Sequence, residues 1–264
     1  TPNPLSQDDV RAEIKKYRER GYLKALEDLT QIERETYDKE PMKHWIANSI
    51  AYKINSVSTK ARICSDGSML TNGTSLNKLL PVGSLNYNLP ACIQAFLTYP
   101  VVQAGDLKSF YCSFYVPIDQ FHVHQMRWID DLDPGGKPKT YVMVRLFFGL
   151  ASVPKLTLIG FEELAQLYPE LAEILRKAFY VDDCILGSFN EEEADATRAE
   201  LAECLARHGL VFKGWSFSGR GADEAVLDEQ GLTGFLGLLW DSKTDEFGLR
   251  IPRYFVTKTV KGQV

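Results

Sequence analysis

The chain has 264 residues, 45% of them hydrophobic and 25% charged, with a net charge of −5. These values sit at the globular average and exclude a disordered or collagen-like polymer, while the length suits one large domain or two small ones. No apolar run is long enough to span a bilayer, residues 1–25 are too charged for a signal peptide, and a net acidic chain is not a general nucleic-acid binder.

The first residues are Thr1-Pro2-Asn3-Pro4, without Met, as expected of a processed polyprotein segment or of a trimmed sequence. Its five cysteines, Cys64, Cys92, Cys112, Cys184 and Cys204, are odd in number and scattered, with no CxxC pair. That predicts reduced thiols in an intracellular, reducing compartment rather than a disulfide frame or a structural zinc.

In chain order, Ser6 caps a helix carrying Val10, Ile14 and Tyr17 at helical spacing, and Gly21 ends it. Residues 45–54 and 61–64 read as strands joined through Ser56-Val57-Ser58-Thr59. Asn88-Leu89-Pro90 opens a short helix through Phe96, and Val101 to Asp106 reads as a buried strand. Residues 121–129 and 140–147 flank Asp133-Pro134-Gly135-Gly136, which is hairpin chemistry. Pro154 starts a helix with Phe161, Leu164, Leu167 and Tyr168 on its apolar face, interrupted at Pro169 and resumed through Lys177. Asn190 and Glu193 form a capping box for a helix with Thr197, Leu201, Cys204 and Leu205 on one face, ending at Gly209. Strands at about 210–216 and 234–240 complete an α+β pattern with a largely antiparallel sheet.

Asp182-Asp183 stands between the apolar runs Phe179-Tyr180-Val181 and Cys184-Ile185-Leu186. Adjacent carboxylates raise each other's pKa unless a cation neutralises them. Neighbouring strand residues point to opposite faces, so a metal site needs a further carboxylate from another strand, and Asp106 is the best placed. Taken alone, the pair reads better as a solvated turn than as a metal site.

The flanking residues carry a resemblance. Phe179-Tyr180-Val181-Asp182-Asp183 resembles the YxDD hairpin of reverse transcriptases, and Val102-Gln103-Ala104-Gly105-Asp106 the strand bearing their first catalytic aspartate. Phe148-Gly149-Leu150-Ala151-Ser152-Val153-Pro154 and Val116-Pro117-Ile118-Asp119 are similar to further segments of that family. Phe235-Leu236-Gly237-Leu238-Leu239-Trp240 resembles its primer grip. Lys60 to Asp66, Thr74 to Leu80, Arg176 to Asp183 and Leu238 to Asp241 are closest in wording to the BEL/Pao class of LTR retrotransposons. Motif order and spacing agree over roughly residues 15–250.

The resemblance implies an RNA-directed DNA polymerase core of the right-hand type, a nucleotidyltransferase with fingers and palm and helices packed on an antiparallel palm sheet. It implies fingers at 1–84 and 117–153, palm at 85–116 and 154–241, and the start of a truncated thumb or connection at 242–264. Asp106 and Asp182, with the Leu107 carbonyl, would bind Mg2+ or Mn2+, and Asp183 would complete the triad. Lys60 and Arg62 would grip the triphosphate, while Tyr111 falls where an aromatic ring excludes a 2′-hydroxyl; as a residue it reads equally as core. Gly149 would allow close backbone approach to the nucleotide. Phe148 replaces the Gln of retroviral members and removes an amide contact. The implied partners are a primed RNA or DNA template, dNTPs, and thumb, connection and RNase H domains of the same polyprotein, with no membrane. The implied location is the cytoplasm or a virus-like particle. A catalytically silent nucleic-acid-binding scaffold and a metal-dependent phosphohydrolase are the rival readings.

A polymerase needs a basic track rather than a basic average. Candidates are Arg11, Lys15, Lys16, Arg18, Arg20 and Lys24, then Lys137, Lys139 and Arg145, then Arg250, Arg253, Lys258 and Lys261. His122 and His124 share a predicted strand face but lack a third metal ligand. Asp130-Asp131-Leu132-Asp133 lacks the ligand spacing of a calcium loop, and Gly219-Arg220-Gly221 lacks the strand-then-helix context of a phosphate loop.

Overall fold

The computed structural model describes residues 7–52, 61–83, 89–130, 135–228 and 230–249. The Ser56–Thr59 turn, Lys60, Ser6, Asn88 and the basic residues from Arg250 onward lie outside them, as do Asp131-Leu132-Asp133-Pro134. In chain order the elements begin with α1 (Gln7–Glu19), β1 (Leu23–Ala25), α2 (Gln31–Lys39), β2 (Ala47–Tyr52), β3 (Ala61–Asp66) and α3 (Leu76–Leu79). They continue with α4 (Leu89–Thr98), β4 (Val101–Leu107), β5 (Gln125–Trp128), β6 (Lys139–Met143), α5 (Val153–Leu167), α6 (Ala172–Lys177) and β7 (Phe179–Tyr180). The last are β8 (Asp183–Ser188), α7 (Glu191–Arg207), β9 (Phe212–Phe217), β10 (Gly221–Ala222), β11 (Thr233–Phe235), β12 (Leu238–Asp241) and β13 (Glu246–Leu249). Every named strand pairing is antiparallel, so the chain is α+β. Among the described residues no helix is long and apolar enough to cross a membrane.

Two compact units emerge, one from residues 1–85 and 111–159, the other from 86–110 and 160–264. In the first, β6 lies between β1 and β5, and β2 pairs with β3. Helix α1 buries Val10, Ile14 and Tyr17, the stripe its periodicity predicts. It ends in a Schellman motif, with Gly21 at φ +66, Tyr22 N–H donating to the Tyr17 carbonyl and Gly21 N–H to that of Arg18. Thr30 and Glu33 close a reciprocal capping box on α2. Residues 121–124 are turns rather than strand, so His122 and His124 share no strand face. Both are buried; the His124 Nδ1 edge faces the Met143 carbonyl at 2.6 Å.

In the second unit β4 is the middle strand of a sheet ordered β10-β9-β4-β8-β7. Gly105 is required there, because a Cβ would come within 2.8 Å of the Phe212 ring. Cys92, Phe96, Val102, Ala104, Ile185, Phe235 and Trp240 form one buried cluster. Burial of its larger members, such as Phe96, Val102, Ile185 and Phe235, contributes roughly 1.5–3 kcal/mol each. The stretch 234–240, read as one strand, is a hairpin: Leu236 and Gly237 turn it with φ +47 and +82, the two positive values of a type I′ turn. The α7 cap also differs from the reciprocal box. Asn190 Oδ1 accepts from Glu192 and Glu193 N–H, but the Glu193 carboxylate takes its bond from the Ser188 hydroxyl, which accepts from Asn190 N–H. The five cysteines are free thiols.

Candidate active site

Asp106 lies near the end of β4, the central strand, and its register partner on β8 is Asp183. β7 and β8 pair through Tyr180↔Asp183, leaving Val181 and Asp182 as a two-residue turn. The Asp182 carbonyl accepts from Leu107 N–H at 2.9 Å, which pins that turn to the strand carrying Asp106. Backbone pairing thus gathers three carboxylates from two distant stretches of chain. Val181 holds φ +61, a left-handed conformation rare for a β-branched residue. Such backbone strain clusters where surrounding structure over-determines a functional loop.

Asp183 accepts a hydrogen bond from Leu236 N–H at 3.3 Å, so the Leu236–Gly237 turn reaches the same cluster. Burial, then the Asp182 charge, and to a smaller extent that of Asp106, push the Asp183 carboxyl up to about 7, against the pull of the Leu236 N–H. Lys213 on β9 brings its Nζ to 3.9 Å from Asp106 Oδ2, both side chains being 38% exposed. Sequence reasoning missed Lys213. Only the register Asp106↔Gly214 places it there, and no motif marks it.

This donor set fits a hard divalent cation. It is all oxygen, and its mutual repulsion is relieved when positive charge is added. Among the described residues no three His, Cys, Asp or Glu side chains form a ready-made metal cluster. Magnesium binding through one or two carboxylates plus substrate phosphates does not require one.

The other predicted residues divide between the units. In the second, Phe235 and Trp240 are buried in the core, whereas Leu236, Leu238 and Leu239 lie at or beside the hairpin turn with Gly237. In the first, Arg62 is exposed on β3, Tyr111 is buried, and Phe148 is partly exposed and packs edge-on to Tyr111. The β3 residue Ser65 donates its N–H to the Phe148 carbonyl at 2.8 Å. Four of the six early basic residues are paired, Arg11 with Asp8, Lys15 with Glu19, Lys16 with Glu13 and Lys24 with Glu33; in the second cluster Lys139 pairs with Asp130. A concavity of about 790 Å3 in the first unit is lined by Arg11, Lys15, Arg18 and Lys24 together with Glu19, Asp28 and Asp130, a mixed rather than a basic wall.

No family model matches the chain, and no curated protein does. Among solved structures, the native prototype foamy virus protease-reverse transcriptase matches over 96% of this chain and 27% of its own, at 16% identity and a TM-score of 0.58. The foamy viral protease-reverse transcriptase dRH in complex with ds DNA matches over 99% of this chain and 37% of its own, at 17% identity and a TM-score of 0.59. The fold is that of a reverse transcriptase. The chain spans 27% to 37% of the length of these relatives, and at this identity the likeness is one of fold.

Proposed function

We propose that the chain is the polymerase core of an RNA-directed DNA polymerase, extending a primer paired to an RNA or DNA template. The observation that supports it is the register of Asp106 with Asp183, beside a turn in which the Asp182 carbonyl accepts from Leu107 N–H. In this reading the primer 3′-oxygen bonds to the α-phosphorus of a dNTP and pyrophosphate leaves.

Asp106 and Asp182 would be the main ligands of Mg2+ or Mn2+ with help from the Leu107 carbonyl, and Asp183 is the third carboxylate of the site. Bound there, the ions supply charge neutralisation for in-line phosphoryl displacement. Lys60 and Arg62 bind the triphosphate, Tyr111 with Phe148 and Gly149 forms the nucleotide wall, and the 235–240 hairpin orients the primer end. Positioning and electrostatics carry the catalysis. The fingers are 1–84 and 117–153 and the palm 85–116 and 154–241, with 242–264 leading toward a thumb. The wording of the motifs favours a BEL/Pao-like retroelement working in the cytoplasm or a virus-like particle, with thumb, connection and RNase H domains as partners.

Primer extension on RNA and DNA templates with Mg2+ or Mn2+ tests this. Extension that Asp182→Asn reduces by about 10²- to 10³-fold or more supports the polymerase. Tight binding without extension assigns the chain to a scaffold, and nucleotide hydrolysis without extension to a phosphohydrolase.

A further inference from the structure

Phe148 has a setting that a surface phenylalanine does not require. Its carbonyl accepts from Ser65 N–H at 2.8 Å, and the next carbonyl, that of Gly149, accepts from Asn77 Nδ2 at 3.0 Å. Asn77 Oδ1 in turn accepts from Ala151 N–H at 2.8 Å, so one side chain closes both sides of the loop. Gly149 sits at φ +105, where a Cβ would lie 1.7 Å from the Ser65 carbonyl oxygen. Backbone contact this close leaves the loop no room to slide along β3.

What the clamped loop presents is a ring. Phe148 is 36% exposed and Tyr111 only 8%, and their ring centroids lie 4.7 Å apart at 77°. Edge-to-face is one of the two favoured geometries of an aromatic pair, and a ring held this way resists rotation away from its partner. An amide at position 148 would hydrogen-bond but would not pin a ring by its edge.

We infer that Phe148 is a specificity-determining residue. It braces Tyr111 so that the two rings act together as one unyielding wall against a ribose 2′-hydroxyl, and Asn77 is the positioning residue that holds the brace. This rests on the reading of Tyr111 as the ring beneath the incoming sugar. A sugar gate discriminates only as far as it refuses to move, so selectivity depends on what stands behind it. An aromatic pair contributes enough beyond its buried area to shift a rate ratio by roughly twofold to tenfold.

Single-nucleotide insertion, comparing kcat/KM for a dNTP and the rNTP of the same base, tests the brace. Phe148→Ala, Phe148→Leu and Asn77→Ala are expected to raise the rNTP/dNTP ratio by about twofold to tenfold, and Tyr111→Ala by more. Phe148→Tyr, which keeps the ring, should hold the wild-type ratio. Phe148→Ala added to Tyr111→Ala should have no further effect on it. Phe148→Leu fills most of the same volume and guards against a variant that merely fails to fold. An unchanged ratio in Phe148→Ala and Phe148→Leu, with a raised one in Tyr111→Ala, overturns the brace and leaves the gate. An unchanged ratio in Tyr111→Ala overturns the gate and the brace together, and absence of wild-type extension overturns the polymerase reading itself.

Discussion

In the first unit burial favours the neutral forms of His124, Cys112 and Tyr17. Burial lowers the His124 imidazole to about 4 and pushes the Cys112 thiol up to about 12, and it raises the Tyr17 hydroxyl, with the Glu13 charge adding to the effect. In the second unit burial acts on Asp183 beside two other carboxylates, against the pull of the Leu236 N–H. A neutral buried group is at rest. A cluster of like charges is not, and its repulsion is what a bound cation or a substrate phosphate-metal complex relieves. The first unit places its precision in backbone contacts, and the second places charge on a strained turn.

The largest expected effect comes from breaking a backbone contact in the first unit. Gly149→Ala sets a Cβ 1.7 Å from the Ser65 carbonyl, at a φ of +105 that L-residues avoid. It is expected to cost about 3–5 kcal/mol of stability, read by urea denaturation, because neither strand nor loop can yield cheaply. A cost below about 1 kcal/mol would show that the loop parts from β3 without penalty.

Next comes acid. His124 has a folded pKa of about 4 against an ordinary value of 6.5, so below pH 6.5 the unfolded chain takes up a proton that the folded chain refuses. Stability is therefore retained above pH 6.5 and lost as the pH falls toward 4, by up to roughly 3 kcal/mol. His124→Asn, able to donate to the Met143 carbonyl but unable to titrate, should flatten that part of the pH profile. An unchanged acid limb in the variant would move the effect to another group.

Much of this was legible in the sequence, and the reasons are physical. The α1 stripe, its Gly21 stop and the Asp182-Asp183 pair between apolar runs follow local rules, and the strand carrying Asp106 follows from the mostly apolar run that opens it at Val101-Val102. Lys213 was not legible, since its approach to Asp106 depends on the β4–β9 register. Nor was the Asn77 clamp, which joins residues 72 or more apart in sequence through side-chain amide geometry. His122 and His124 alternate as strand residues do, yet turns directly after the 3-10 helix Ile118–Gln120 carry them, with His124 N–H donating to the Gln120 and Phe121 carbonyls.

A smaller effect, of opposite sign, belongs to the second unit. Asp183→Asn keeps an acceptor for Leu236 N–H and removes the charge that burial and Asp182 oppose. Without divalent ions the variant is expected to be more stable at pH 8 by about 1–2 kcal/mol, a figure reduced for the partial exposure of the site. Primer extension should fall sharply in the same variant. A gain in stability with a loss of activity marks a charge kept for function; a loss of both would make Asp183 structural.

The smallest effect concerns the turn itself. Val181 occupies the first position of a two-residue hairpin turn with φ +61, where type II′ turns carry glycine. A left-handed L-residue costs roughly 1–2 kcal/mol. Glycine removes that cost and adds about 0.5–1 kcal/mol of chain entropy to be lost on folding. Val181→Gly should therefore stabilise the protein by at most about 1 kcal/mol, measured by denaturant titration. Extension should nevertheless decline, because a glycine turn lets the neighbouring Asp182 wander, and a carboxylate that must meet a cation works through fixed position. A variant both more stable and equally active would show that the Leu107 N–H bond to the Asp182 carbonyl suffices to hold the turn, and that the strain at Val181 serves no purpose.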